Sequence, residues 1–497
     1  MSDKLVIGLD SSTQSTKAIA WDNKGVAQGE GRAPISMSRP QAGHAEQSIE
    51  DWWSSACSAL QELSKQIDPE RIAAIAISNQ RETVGFIDEK GNASYPAIVW
   101  LDERATGQIE PLNAAFPDNG LHKITGKPAD ITPVIYRLAW MQDNAGDALA
   151  ETAKIVDVHS FLVGRLTGTN VASYTSADPF GVFDIRAMEW SSPILSYLGL
   201  KTGMFPAAVR PGTVVGQVSA NAQHVTGLPE GTPVVAAGGD GQCAGLGVNA
   251  IQVGRVYLNL GTAIVVGAKS TDPALSNNWR TMVSPTGEGY FLEGVLRGGA
   301  FFVDWFVKNF VNDLPSAETF AGLEEGAAAL PLGAEGLTVC PYLAGVMNPH
   351  WNPNARAAFI GLGAHHTKYH VYRAILESLT IEVARCVEAM QSAGHKMGEI
   401  IAVGGGANSR LWSQMVADAC GLPLIKSRTI EASALGAGIS AAVGIGWYES
   451  FESASAAMVS DGDSILPDPA RKANWDTLSL RQAASYPATN TGVFATT

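Results

Sequence analysis

The sequence predicts an α/β protein of two domains built on a duplicated plan. Three observations lead there. Short β-like runs at 72–78, 233–237 and 399–403 alternate with segments of helical periodicity, the pattern of mixed layers. A unit of strand, tight turn bearing hydroxyl side chains and return strand occurs once in each half. The chain's 497 residues are also too many for one ordinary core.

The first unit runs along residues 4–10 to a terminal carboxylate, Asp10. It turns through Ser11-Ser12-Thr13-Gln14-Ser15-Thr16 and returns along 17–21, closed by a turn at 22–25. A helix is expected over 48–66, where Ile49, Trp52, Ala56, Leu60 and Leu63 recur at helical spacing and Ser48 stands as N-cap. The second unit is 254–260, the turn Gly261-Thr262, and 263–268. A second helix is expected over 368–391, with Val371, Ile375, Leu379, Val383 and Cys386 on one face and Gly394 ending the run. The domain boundary is expected just after the glycine-rich stretch 238–247, where a hinge would sit. Residues 1–245 then form the N-terminal domain, 246–450 the C-terminal domain, and 451–497 a helical tail with a disordered end at 489–497.

Composition removes several functions. Hydrophobic residues make up 46% and charged residues 16% of the chain, which describes a buried globular protein rather than a disordered one. A net charge of -14 argues against nucleic acid, whose phosphates need a basic footprint. The longest apolar stretch, 434–447, is too short to span a membrane and the start has no signal-peptide pattern, so a cytoplasmic protein is expected. Cys57, Cys243, Cys340, Cys386 and Cys420 are scattered without metal-ligand spacing, and read as reduced thiols.

Three segments carry chemistry. A carboxylate at a strand end beside hydroxyls and N–H groups, as in the turn from Asp10 to Lys17, suits a hydrated metal and a phosphate; an ordinary polar hairpin turn reads the same way. Gly238-Gly239-Asp240-Gly241-Gln242 sets one acid among glycines after an apolar strand. The glycines would let a ligand approach the backbone, and the acid would accept a proton from a hydroxyl; a surface turn with a capping Asp is the alternative. Gly404-Gly405-Gly406-Ala407-Asn408-Ser409 lies between a strand and a helical segment, a context for phosphate or adenosine. It is not the dinucleotide fingerprint: Ser409 replaces the third glycine and no acid follows at the required distance, which disfavours a dehydrogenase.

Together these segments resemble the FGGY family of carbohydrate kinases, over residues 5–447. The most specific element is the run 357–377, where Ala357, Phe359, Gly361, Leu362, His370, Val371, Ala374, Ile375, Leu376 and Glu377 meet the family's second signature. Asn348-Pro349-His350-Trp351 and Glu46-Gln47 also look like family positions. The first signature departs: near Trp140, Arg137 stands in a lysine position and Val134 in that of a small residue or proline. That region is expected to pack rather than react. The resemblance implies a duplicated actin/hexokinase-like (ribonuclease H-like) fold with an interdomain active-site cleft, and ATP and Mg²⁺ as cofactors. It further implies a small polyol or sugar substrate, and a homodimer or homotetramer is expected.

Carried over position by position, the resemblance makes Asp240 the general base and gives the Mg²⁺ to Asp10 and Asp240. ATP would meet Ser12, Thr13 and Lys17 in the first turn, Gly261 and Thr262 in the second, and Gly405, Gly406, Asn408 and Ser409 around the adenosine. Lys17 has a second reading, as a lysine covering an edge strand. Arg81, Glu82, Trp100, Thr132, Asp240 and Gln242 would bind the substrate. The segments at 79–83 and 97–100 resemble those of glycerol kinases, and a fixed donor fork beside an acceptor suits a diol. Thr132 and Val265, however, stand where glycerol kinases carry Tyr and Phe, so a wider pocket for a four- or five-carbon polyol or ketose is expected. Glycerol is the alternative substrate. A catalytically inactive sensor on the same fold is the alternative of another class, disfavoured because both Asp10 and Asp240 are present.

Overall fold

The computed structural model describes residues 3–311 and 319–493. Two large sheets dominate it, and they share one strand plan. The first, with six strands, runs in the order Val214–Gln217, Pro233–Gly239, Ile72–Asn79, Leu5–Ser11, Ser15–Trp21, Ala27–Pro34. Leu5–Ser11 pairs antiparallel with Ser15–Trp21 and parallel with Ile72–Asn79, which is in turn parallel to Pro233–Gly239. The second sheet repeats this. Gly254–Leu260 pairs antiparallel with Ile264–Ser270 and parallel with Met397–Val403, which is parallel to Leu424–Ser427. In each sheet the returning hairpin strand is followed by another antiparallel strand, Ala27–Pro34 in the first and Tyr290–Leu296 in the second. The second sheet adds one outer strand, Arg280–Val283.

The expected helices form. Ser48 caps Ile49–Ser64 by accepting the Glu50 N–H, and its buried face includes Ile49, Trp52, Ala56, Leu60 and Leu63. The helix Lys368–Ser392 begins at Thr367, which shares a reciprocal capping box with His370, and stops before Gly394. The apolar stretch near 434–447 is a buried helix, Ala432–Gly444, laid across the first sheet and against the helix Asp240–Gly247. Its small residues are demanded by contact. A Cβ on Gly8 would stand 1.8 Å from the Ala434 carbonyl oxygen, and one on Gly436 1.9 Å from that of Cys243. No helix among the described residues is long and apolar enough to cross a membrane.

Two expectations are corrected. The tail is not only helical: Asp461–Ile465 joins the edge of the second sheet, antiparallel to Leu424–Ser427. Nor is its end free where it is described. Pro487–Val493 forms a helical turn, and the buried Asn490 accepts the Arg356 N–H at 2.7 Å. Residues 494–497 of the segment expected to be disordered lie outside the described residues.

Candidate active site

In an open α/β sheet, ligands gather at the carboxyl ends of the parallel strands, where the chain leaves the sheet. Here the three parallel strands of the first sheet end at Ser11, Asn79 and Gly239, delivering Asp10, Arg81-Glu82 and Asp240 to one edge. The second sheet delivers Gly261-Thr262 after Leu260, and Gly404 to Gly406 after Val403. The local motifs of the two halves therefore meet across one cleft.

Within the cleft is a cavity of about 220 Å³. Thr13, Arg81, Glu82, Trp100, Thr132 and Asp240 line it, joined from the second half by Tyr257, Asn259, Val265, Arg280, Val295 and Met347. Among the residues expected to bind substrate, Gln242 is the exception. It is fully buried, and its Oε1 accepts from Arg81 Nη1 at 3.1 Å, so it supports the guanidinium from behind.

The charges form a ring across the two halves. Arg81 reaches Asp240 through Nε at 3.2 Å and Glu293 through Nη1 at 2.9 Å. Arg280 reaches Glu293 through Nη2 and Glu82 through Nη1, both at 2.6 Å. Burial alone would lower the Arg81 pKa, but Glu293, Glu82 and Asp240 outweigh it and hold the guanidinium above its ordinary value. The glycines of the Asp240 motif make room for this side chain. A Cβ on Gly239 would lie 2.6 Å from Arg81 Cδ, and one on Gly241 2.7 Å from its Nη2. The glycine-rich stretch itself is a strand end, Pro233–Gly239, followed by a helix, Asp240–Gly247.

Burial pushes the Asp240 carboxyl up to about 6; Arg81 opposes the shift, and Asp10 and Glu82 add to it. The side chain keeps 37% of its surface open, so water moderates the effect. Asp10 is also raised by burial, against the Ser78 hydroxyl that donates to its Oδ1 at 2.8 Å. Two neighbouring carboxylates whose charge is disfavoured by their surroundings are relieved by a divalent cation. Two carboxylates, with water and phosphate oxygens completing the shell, is a donor set that suits Mg²⁺. No cluster of three or more His, Cys, Asp or Glu offers an alternative metal cage among the described residues.

A polar chain ties the cavity wall to the first turn. Gln47 donates from Nε2 to the Thr13 carbonyl at 2.7 Å and accepts from both Trp52 Nε1 and Gln80 Nε2 at 2.9 Å. The Thr83 hydroxyl donates to Gln80 Oε1 at 3.1 Å. Arg137 does more than pack: its fully buried guanidinium donates to the carbonyls of Glu82 at 2.7 Å and Trp100 at 3.1 Å. Lys17 pairs with Glu431 at 2.6 Å and stands opposite Asp10 in the strand register, where its charge opposes the rise of the Asp10 pKa; its strand is interior to the sheet, so the edge-lysine reading does not hold.

A second cavity, of about 610 Å³, lies in the C-terminal half between Gly261-Thr262, the glycine loop and Phe320, Tyr372 and Trp412. Gly405 faces open space, whereas Cβ atoms on Gly404 and Gly406 would meet Asn259, Leu260 and Trp412 within 3 Å. Ser409 lines this cavity but also caps the helix Arg410–Cys420, accepting the Trp412 N–H at 3.0 Å. Asn408 accepts from Lys426 Nζ at 2.7 Å.

Comparison with known proteins gives this geometry its context. The FGGY family of carbohydrate kinases matches with its N-terminal domain over residues 5–247 and with its C-terminal domain over residues 256–445. The chain belongs to this family. It is accordingly an ATP-using phosphotransferase with an alcohol group as acceptor. A xylulose kinase of Bacillus subtilis (strain 168) is 28% identical over 479 residues, 96% of this chain and 95% of that protein. A glycerol kinase of Saccharolobus islandicus is also 28% identical, over 91% of this chain and 90% of its own. The crystal structure of a gluconate kinase from Lactobacillus acidophilus superposes with a TM-score of 0.93 at 22% identity, covering 99% of both chains, which shows a shared fold.

Proposed function

We propose that this kinase transfers the γ-phosphoryl group of ATP to a hydroxyl of a small four- or five-carbon polyol or ketose. One observation carries the reading: Arg81, Glu82, Trp100 and Asp240 converge on a single cavity of about 220 Å³, with Asp10 beside them. Arg81 and Glu82 offer a donor fork and an acceptor to neighbouring hydroxyls, and Trp100 forms an apolar wall. Asp240 accepts the proton of the attacking hydroxyl, and a base near pH 6 is well matched to that task. Ser12, Thr13, Lys17, Gly261 and Thr262 orient the β- and γ-phosphates, and Gly405, Gly406, Asn408 and Ser409 line the adenosine. Asp10 and Asp240 would hold Mg²⁺, mostly through water, and that ion supplies charge neutralisation on the transferring phosphoryl group. The chain's own work is positioning and electrostatics.

Xylulose favours the reading as the substrate of one relative, whereas glycerol, that of another, is the competing acceptor. The Arg81-Glu82 pair suits both. Thr132 and Val265 favour the longer substrates because neither fills the wall as an aromatic ring would. An ADP-release screen over polyols, ketoses and aldoses tests this. Release fastest with a four- or five-carbon acceptor is expected; fastest release with glycerol, or with none of them, refutes it.

A further inference from the structure

The ring of charges holds a residue that no local motif announced. Arg280 lies on the outer strand of the second sheet, Arg280–Val283, and that strand is fastened to the first half. Lys127 pairs with Asp178 and donates to the Thr281 carbonyl at 3.2 Å, Asp178 accepts the Val283 N–H at 2.9 Å, and the Thr281 N–H reaches the Gly126 carbonyl at 2.9 Å. The clamp sets the Arg280 side chain into the cavity wall. Glu293, fully buried, then grips both guanidiniums, taking Arg280 Nε at 2.7 Å on one oxygen and Arg81 Nη1 at 2.9 Å on the other. Burial raises the Glu293 carboxyl, but Arg81 and Arg280 overcome this and pull it down to about 2, so the anchor stays ionised. Arg280 Nη1 spends one N–H on Glu82, leaving another on that nitrogen for a ligand.

We propose that Arg280 is a specificity-determining residue, whose free N–H beside the Glu82 carboxylate reads a substrate hydroxyl beyond the diol held at Arg81, and that the ring selects neutral substrates. This rests on the reading of the cavity as the polyol site. Both guanidiniums are already engaged by carboxylates, Arg81 by Asp240 and Glu293 and Arg280 by Glu293 and Glu82, so the ring holds no unspent cation to receive a substrate carboxylate. A sugar acid such as gluconate would bring its carboxylate to that ring.

The test is kcat/KM of wild type, Arg280→Lys and Arg280→Met with glycerol, tetritols, pentitols, pentuloses and gluconate. Lys keeps the charge without the fork and serves as the second variant should Met fold poorly. Losing a hydrogen bond to a charged group is expected to raise KM for four- and five-carbon substrates about ten- to a hundredfold. The loss on glycerol should be several-fold smaller, because glycerol ends before the Arg280 N–H. Gluconate should be the poorest acceptor for wild type. Equal losses on glycerol and pentitols in both variants would show a purely structural Arg280 and overturn the proposal. Gluconate turnover matching the best neutral substrate would also overturn it, while leaving the kinase cavity in place. Wild type inert to every acceptor would instead sink the assignment of the cavity itself.

Discussion

The indole Nε1 of Trp100 donates to the hydroxyl of Thr13 at 2.8 Å, joining the wall of the cavity to the turn that follows Asp10. Trp100→Phe keeps the aromatic wall and removes this bond, and Thr13→Val removes it from the other side. A neutral hydrogen bond contributes about 0.5–1.5 kcal/mol, so each variant should raise KM for both polyol and ATP about two- to tenfold. Thr13→Ser should behave like wild type. If Trp100→Phe weakens polyol binding and leaves the KM for ATP untouched, the two sites are not joined through this contact.

Asp240 sets a link between pH, activity and stability. Its carboxyl lies near 6 in the folded protein against an ordinary 3.8. In its proposed role as general base Asp240 must be ionised, so the acid limb of kcat/KM should titrate near 6. The folded state holds the proton more tightly than the unfolded chain, so stability falls as pH rises between about 4 and 6 on account of this group. Asp240→Asn lacks that charge. It should lose about 10²–10⁴-fold in kcat, yet melt at or above the wild-type temperature at pH 7.5, with the difference closing towards pH 4. Melting scans across that range and a rate assay decide; retention of more than a tenth of wild-type kcat would remove Asp240 as the base.

Arg137 is a fully buried cation whose pKa burial lowers to about 10, and it donates to backbone carbonyls rather than to a carboxylate. One of those carbonyls belongs to Glu82, which sits at φ 53°, a left-handed conformation uncommon for a residue with a side chain. Arg137→Met should leave both carbonyls unsatisfied, costing about 1–3 kcal/mol in denaturant unfolding. It should raise KM for the polyol more than KM for ATP. A variant that loses stability but keeps the wild-type polyol KM would reduce Arg137 to packing.

The parts of this site legible in the sequence are those built from consecutive residues. Asp10 and Asp240 each follow an apolar strand and stand beside glycines or hydroxyls, and Arg81-Glu82 ends another strand. Arg280 and Glu293 have no such neighbourhood. They reach Glu82 and Arg81 across 198 and 212 residues of sequence, and only the docking of the outer strand unites them. The glycines around Asp240 read equally as room for a ligand or as a surface turn, and the side chain that Gly239 and Gly241 make room for, Arg81, comes from far away in the sequence. The edge reading of Lys17 needed the strand order, which a hairpin alone does not contain. The polar, small residues near 489–497 resemble a disordered end, yet Asn490 is pinned by Arg356, a contact made across 134 residues.

Thr132 and Val265 both face the cavity, and the proposed preference for longer substrates rests on them. Val265 pairs across the second sheet with Asn259 on one side and Val295 on the other, and all three line the cavity, so a larger side chain at 265 would extend into it. Thr132 is held by Asp130, which takes its hydroxyl and lies 3.4 Å from Arg297. Glycerol gripped at Arg81 and Glu82 would leave water against Val265, Val295 and Met347, which weakens positioning as well as affinity. Thr132→Tyr with Val265→Phe should fill that space and shift kcat/KM towards glycerol over the best pentitol or pentulose. Pocket filling of this kind is worth about 1–3 kcal/mol, or roughly 10- to 200-fold in preference. The comparison is of ratios within one enzyme, so a general loss of activity in the double variant does not obscure it. An unchanged ratio would place the length selection elsewhere in the cleft, and wild-type preference for glycerol would refute the wider pocket outright.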